Sequence, residues 1–470
     1  MQMNKTPMPE QDPRVRTHNF EEVATGYTAE MAIQEAQRCL DCRHKPCVEG
    51  CPVNVKIPDF IRLLKKGDAR AAYDVIRQDN ALPAICGRVC PQETQCEARC
   101  VRGVRGEPVG IGRLERYAAD TAMAEEAAGE TKAKTENAKA RVAVVGSGPA
   151  GLSCAGELNH MGYDVTVFEA LHAPGGVLVY GIPEFRLPKQ LVRREIDGLE
   201  RAGVKIVTNA VIGKSITLNE LLEEEGFSAA FVGSGAGLPR FQNIEGEQLS
   251  GVYSANEFLT RVNLMKAYRF PEYLTPVRAG RRVAVVGGGN VAMDAARCAL
   301  RLGAEKVMIV YRRGEEEMPA RREEIEHARE EGVEFALLTN PVKFTGDENG
   351  SVTGMTCVRM ALGEPDASGR RRPAPVPGSE FETEISCAVI AISNSPNPLI
   401  AQTTPGLETQ KWGGIVVKGD TLATSVPGVY AGGDAVTGAA TVILAMGAGK
   451  KAAREIDEYL RAKNGEDAKA

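Results

Sequence analysis

Two segments of this 470-residue chain follow the same pattern, and together they constrain its fold more than any other feature. RVAVVGSGPAGLSCAGELNHMGYDVTVFEA, from Arg141 to Ala170, passes from a β-branched run through a glycine turn and a helical spacing to a second β-branched run. RRVAVVGGGNVAMDAARCALRLGAEKVMIVYRR, from Arg281 to Arg313, does the same. The first glycines of the two turns, Gly146 and Gly287, lie 141 residues apart. Each βαβ unit needs its own parallel sheet, so the pattern predicts two doubly wound α/β domains.

Both turns fit a dinucleotide fingerprint. In Gly146-Ser147-Gly148-Pro149-Ala150-Gly151 the first glycine permits the tight turn and the second admits a pyrophosphate. The third lets the helix lie close on the strand, and the helix start then offers unpaired N–H groups to the phosphates. Glu169, 23 residues after Gly146, ends the second strand where a ribose diol would donate to it. In Gly287-Gly288-Gly289-Asn290-Val291-Ala292 alanine takes the third place. The strand after it ends in Tyr311-Arg312-Arg313 instead of an acid. Guanidinium groups bind a 2′-phosphate that an acid would repel, so the second unit is expected to take NADP(H) through Arg312 and Arg313. Arg321 or Arg322 would add phosphate contacts. The competing reading makes Arg312 and Arg313 a solvated pair facing Glu315 to Glu317.

Eight of the 12 cysteines fall between Cys39 and Cys100. The runs are Cys39-x2-Cys42-x4-Cys47-x3-Cys51-Pro52 and Cys86-x3-Cys90-Pro91-x5-Cys96-x3-Cys100. Thiols this dense in a reducing compartment read as metal ligands rather than disulfides. Irregular spacing and the Cys-Pro pairs favour two 4Fe-4S clusters over zinc, whose structural sites come as paired C-x2-C knuckles. Spacing leaves the assignment of ligands to clusters open. Cys154, Cys298, Cys357 and Cys387 stand alone and are expected to be buried small hydrophobes. No C-x-x-C lies near the flavin segments, which disfavours a dithiol mechanism.

The balance of 57 basic against 62 acidic residues excludes a nucleic-acid binder. The polar N-terminus and the lack of a long apolar run predict a soluble protein of the cytoplasm with no membrane span.

EAQRCLDC with the two cysteine runs, GSGPAG with PGGVLVYGIPEFRLPK, then GSGAGLPR, GGGNVAMD, YRRGEEEMPARREE and AGGDAVTGAATVILAMGAGK resemble the small chain of NADPH-dependent glutamate synthase. The resemblance runs in order from about residue 20 to 460. It extends to the N-terminal half of dihydropyrimidine dehydrogenase and to the large subunit of an electron-bifurcating NADH-dependent reduced ferredoxin:NADP oxidoreductase. It implies a helical iron-sulfur domain (1–122), a linker (123–140), and an FAD domain split into 141–274 and 381–470 around an NADP domain (275–380). One cluster would be held by Cys39, Cys42, Cys47 and Cys100, and the other by Cys51, Cys90, Cys96 and Glu115, leaving Cys86 spare. FAD would touch Gly175, Gly176, Val177, Arg186, Gly433, Asp434 and Thr441 besides the first fingerprint, and Gly233 to Gly237 would form the crossover between lobes.

The activity implied is hydride transfer from NADPH to FAD and single-electron transfer through the clusters to a partner, with no catalytic acid or base. The partner would be a second flavoprotein subunit in a hetero-oligomer, namely the glutamate synthase large chain. In the bifurcating alternative it would be a small FAD/2Fe-2S subunit using NAD, with ferredoxin as the other acceptor. A non-enzymatic electron-transfer subunit is the remaining alternative, and the intact fingerprints oppose it. Neither an amidotransferase nucleophile nor an FMN-bearing barrel is apparent, so the chain alone is not expected to make glutamate.

Overall fold

The computed structural model describes residues 2–125, 138–277, 279–463 and 465. The cysteine-bearing segment is helical, its main helices being Ala29–Gln37, Ile57–Leu64, Ala69–Arg77, Pro83–Val89 and Ile111–Glu125. Thr28 and Asp68 cap two of them by accepting a backbone N–H from the first turn, and Pro83 opens a third where no N–H is needed. Phe60, Ile61, Leu64, Ile76, Leu82 and Leu114 are at most 1% exposed. Their core runs without a break into the first βαβ unit through Val142, Leu152 and Met446. Of the expected linker, Met123–Glu125 complete a helix, whereas 126–137 lie outside the described residues.

The first sheet is parallel, in the order Val429–Ala431, Ala229–Val232, Arg141–Val145, Asp164–Phe168, Lys205–Val207. The second, also parallel, runs Val252–Ser254, Cys387–Ile390, Arg282–Val286, Lys306–Tyr311, Glu334–Leu337. Both central strands read RVAVV, with the arginine exposed and the next four residues buried, because helices or loops cover both faces. The chain leaves the first sheet after Val232 and returns at Val429, so the second unit is inserted in the first. Sheet membership shifts the expected boundaries. Val252–Ser254 and Cys387–Ile390 belong to the second sheet, although they fall outside the expected 275–380 span. A short strand-like run does not show which sheet it joins. An antiparallel insert, Thr339–Gly346, Val352–Pro365, Arg371–Pro375 and Phe381–Glu384, follows the last strand of the second β-α-β series. Among the described residues no helix is long and apolar enough to cross a membrane.

The N-terminal arm fastens the second unit through buried charge. Arg16, 1% exposed, donates from Nε to Glu331 at 2.8 Å and from Nη2 to Glu330 at 2.6 Å. Arg297 and Arg301 also bind Glu331. Burial alone would raise the Glu331 carboxyl, but the guanidinium groups of Arg301 and Arg297 outweigh it and hold it at about 2. Because the folded value is depressed, this stabilisation is present above the ordinary carboxylate range and lost as pH falls toward 2. Glu331→Gln leaves Arg301 without a carboxylate partner, while Arg16 and Arg297 keep Glu330 and Glu324, and should cost about 3–5 kcal/mol, read as a lower thermal midpoint at neutral pH. An unchanged midpoint would show that the cluster contributes nothing.

Candidate cofactor sites

The first fingerprint forms a tight cradle. Gly146 has φ +98°, and a Cβ there would stand 2.6 Å from the carbonyl oxygen of Gly233, in the expected crossover. A Cβ on Gly151 would stand 1.9 Å from the Gly146 oxygen, whereas one on Gly148 would meet nothing within 4 Å. The middle glycine therefore faces open space at the start of the helix Pro149–His160, where a pyrophosphate can approach. Two further turns close on the same point. A Cβ on Gly176 would lie 2.9 Å from Gly148 Cα, and one on Gly433 would lie 3.0 Å from Ala150 Cβ. Val177 and Asp434 each open a short helix behind those glycines.

Glu169, 6% exposed, accepts the Ser147 N–H at 3.0 Å and the Leu171 N–H at 2.8 Å. Ser147 Oγ, which also donates to Glu169, accepts the Gly175 N–H at 2.9 Å, tying the two turns together. Burial pushes the Asp434 carboxyl up to about 6, although it accepts the Ala440 N–H. Thr441 Oγ1 accepts from Leu444 N at 3.3 Å at the head of the helix Val442–Lys463.

Arg186 has different company from that expected. Its Nη1 binds both oxygens of Asp294, at 2.7 and 2.8 Å, and its Nε binds Glu324 at 2.8 Å. It therefore links the first lobe to the helices of the second unit, because a buried guanidinium settles where carboxylates can neutralise it.

The second fingerprint has the same form. Gly287 has φ +146°, and a Cβ there would stand 2.3 Å from the Ala391 oxygen, while one on Gly288 would press on the Tyr311 ring at 2.8 Å. Gly289 precedes the helix Asn290–Arg301, in which Val291 is exposed and Ala292 buried. Of the four arginines named for the 2′-phosphate, Arg312 and Arg322 are exposed, and among the described residues the Arg312 side chain has no ion pair or hydrogen bond. Arg313, 7% exposed, turns the other way and donates to Asp366 at 2.8 Å and to the Arg371 carbonyl at 2.9 Å. Arg321, 8% exposed, donates to the Arg88 carbonyl at 2.9 Å and to Glu323 at 2.6 Å, toward the helical domain. Arg312 and Arg313 sit in the bend after Tyr311, and of the two only Arg312 faces solvent. The alternative pairing with Glu315 to Glu317 is also absent: Glu315 holds Arg329, while Glu316 and Glu317 hold Arg371.

The cysteines fall into two groups. Cys39, Cys42, Cys47 and Cys100 line one apolar cavity of about 30 Å³ with Ile57, Ile61, Val109 and Ile111. Burial pushes the Cys47 thiol up to about 12, and Cys39 and Cys100 add to the shift. Cys51, Cys90 and Cys96 share a second neighbourhood with Glu115. Cys51 is raised to about 11 by burial, with Glu115 and Cys86 contributing, and Cys96 is raised by burial and then by Glu97, Cys51 and Glu115. Burial brings Glu115 to about 7 while Asn80 Nδ2 donates to it at 2.7 Å. Cys86 turns its sulfur toward Asn80 Oδ1, at 3.6 Å, and Met446, at 3.5 Å, while remaining in contact with Cys90.

Thiols packed so closely resist ionisation until cations compensate them, which suits iron-sulfur clusters. Among the described residues no three cysteine sulfurs stand within 4.8 Å of one another, while tetrahedral zinc would bring them to roughly 3.8 Å. Cys154, Cys298, Cys357 and Cys387 are fully buried, as expected of packing residues.

The sequence predicts a long helix after the AGGD turn, and the structure has it as Val442–Lys463, but its close packing on both sites was not read from the sequence. A Cβ on Gly449 would stand 2.1 Å from the Ala150 oxygen, and one on Gly447 would stand 3.0 Å from the oxygen of Pro52. Helix-interior glycines cost about 1 kcal/mol against alanine, so GAGK early in this helix was the available signal of close packing.

Residues 16–127 match the family model described as dihydropyrimidine dehydrogenase domain II, 4Fe-4S cluster. Residues 115–230 and 140–449 match pyridine nucleotide-disulphide oxidoreductase. The chain is 38% identical over 465 residues to the glutamate synthase [NADPH] small chain of Azospirillum brasilense, covering 97% of this chain and 95% of that one. It is 41% identical over 439 residues to the NADP(+)-dependent formate dehydrogenase subunit beta of Moorella thermoacetica, covering 88% of this chain but only 60% of that subunit. Mycobacterium tuberculosis FprA in complex with NADPH shares the fold, with a TM-score of 0.58 and 22% identity over 70% of this chain and 87% of that one.

Proposed function

Because the chain belongs to the pyridine nucleotide-disulphide oxidoreductase family and to its glutamate synthase small-chain branch, we propose that it draws electrons from NADPH and delivers them singly to a partner subunit. The observation that carries this reading is the course of one helix. Val442–Lys463 starts beside Thr441 at the flavin-side turn. About 8 Å further along, at 1.5 Å per residue, its Gly447 packs on Pro52, next to Cys51. FAD, when bound, splits a hydride donor's electron pair into single electrons, and 4Fe-4S clusters relay them.

The chain's own residues supply position. The backbone N–H groups behind Gly148 and Gly289 hold the two pyrophosphates, and Glu169 orients the flavin nucleotide's ribose. Cys51, Cys90, Cys96 and Glu115 hold the cluster nearer the flavin. Cys39, Cys42, Cys47 and Cys100 hold the outer cluster, whose neighbours Leu40 and Val101 are exposed at 46% and 44%, and electrons leave there. No side chain acts as an acid or base, because hydride transfer needs stacking and exclusion of water.

We take the partner to be a glutamate synthase large chain, since the A. brasilense small chain is matched along 95% of its own length whereas the formate dehydrogenase subunit extends well beyond the match. Native purification identifies it. An FMN-bearing large chain is expected, and a small NAD-using flavoprotein in its place would overturn this assignment.

Arg312 reads the 2′-phosphate in this proposal. Arg312→Ala should raise KM for NADPH roughly 10- to 100-fold with little change for NADH, the size of a charge-assisted hydrogen bond. Equal loss with both nucleotides would refute that role.

A further inference from the structure

Asp366 and Arg371 flank the turn that closes the hairpin formed by Val352–Pro365 and Arg371–Pro375, in the antiparallel insert. Nothing in the dinucleotide fingerprint calls for this insert, yet it seizes the loop that follows the strand Lys306–Tyr311. Asp366 Oδ2 accepts from Arg313 Nη2 at 2.8 Å, and Arg313 Nε donates to the Arg371 carbonyl at 2.9 Å. Arg371 reaches back from the other side, its Nε donating to Glu317 and its Nη2 to Glu316 at 3.0 Å. Glu317 closes the circuit by accepting the Gly314 N–H at 3.1 Å, and its carbonyl accepts from Tyr311 OH at 2.7 Å. Every residue of the loop on either side of Arg312 is therefore fixed, while Arg312 itself projects into solvent with no partner among the described residues.

We propose that Asp366 and Arg371 are positioning residues for nucleotide specificity: by clamping Arg313 and Glu317 they aim Arg312 at the 2′-phosphate without touching the nucleotide themselves. The inference rests on the reading of Arg312 given above. A long side chain on a loose loop loses much of its binding strength to conformational freedom, and clamping its neighbours removes that loss in advance. Asp366 can hold this tension because its other oxygen is anchored in its own turn, accepting the Ser368 N–H at 2.8 Å. The clamp acts only on the nucleotide whose 2′-phosphate meets Arg312, so NADH does not feel it.

Asp366→Asn keeps the turn and removes the charge that holds Arg313. In the full chain with its cofactors it should raise KM for NADPH roughly 5- to 10-fold, with kcat and the NADH parameters unchanged. In an Arg312→Ala background it should change nothing further, because the two residues act through one contact. Equal losses for NADPH and NADH, an effect that persists without Arg312, or no effect at all would each overturn the proposal. If Arg312→Ala is selective for NADPH while Asp366→Asn is silent, the clamp alone is wrong. If Arg312→Ala is not selective, the 2′-phosphate reading falls and the clamp with it. Arg371→Ala breaks the opposite side of the same clamp and is read in the same way should Asp366→Asn fail to fold.

Discussion

Gly151→Ala should yield a protein that purifies without flavin. The added methyl would stand 1.9 Å from the Gly146 carbonyl oxygen, far inside van der Waals contact. In many βαβ units the helix could slide away from its strand to make room. Here the helix Pro149–His160 has no such freedom, because the helix Val442–Lys463 presses on its other side, so closely that a Cβ on Gly449 would stand 2.1 Å from the Ala150 oxygen. Overpacking of this kind costs about 1–3 kcal/mol even where neighbours can adjust. The adjustment would open the turn around Gly146, Gly148 and Gly176 that faces the pyrophosphate.

Flavin per chain, read from the visible absorbance after gel filtration, should fall about 10-fold or more, the loss expected of a few kcal/mol. The second unit supplies the internal comparison, since it carries Ala292 at the matching place, fully buried and accommodated. Ala292→Gly should leave NADPH binding nearly unchanged. A Gly151→Ala protein with full flavin would mean that the first turn is not the cradle it is taken to be.

The fingerprints were legible because their physics is local: a tight turn, a close crossing and a helix start each leave a glycine or a cap in fixed register. The grouping of the cysteines could not be read from spacing, which leaves several pairings open; it came from resemblance, and in the structure Cys39, Cys42, Cys47 and Cys100 line one cavity while Cys86 lies beside Cys51 and Cys90. Arg186, Arg313 and Arg321 stand in ion pairs that the sequence does not show. A sequence shows that an arginine is near a phosphate site but not whether a carboxylate stands closer, and Asp294, Asp366 and Glu323 do. Two strands of the second sheet, Val252–Ser254 and Cys387–Ile390, fell outside the expected span because such short runs would suit either sheet. The insert was missed because its strands carry exposed arginines, glutamates and prolines, as in the burial of Arg371–Pro375, and alternate too weakly to stand out.

Cys47→Ala and Cys86→Ala should differ sharply, although both remove one buried or half-buried thiol from the same domain. Two 4Fe-4S clusters correspond to about eight irons and eight acid-labile sulfides per chain in anaerobically prepared protein. Cys47 lines the cavity shared by Cys39, Cys42 and Cys100, so its loss leaves three ligands around a half-exposed site and should reduce the content to about four irons. Cys86 instead directs its sulfur at Asn80 and Met446, and its loss should leave about eight irons, with a small packing penalty of the kind that a buried sulfur carries. Cys96→Ala should match Cys47→Ala in iron content yet remove a different paramagnetic signal from the reduced protein, because it empties the group nearer the helix Val442–Lys463. If Cys86→Ala also loses half of the iron, the second cluster takes its fourth ligand from Cys86 and not from Glu115. Stoichiometric zinc without labile sulfide would end the cluster reading altogether, and with it the route by which electrons pass from the flavin-side helix to the surface around Leu40 and Val101.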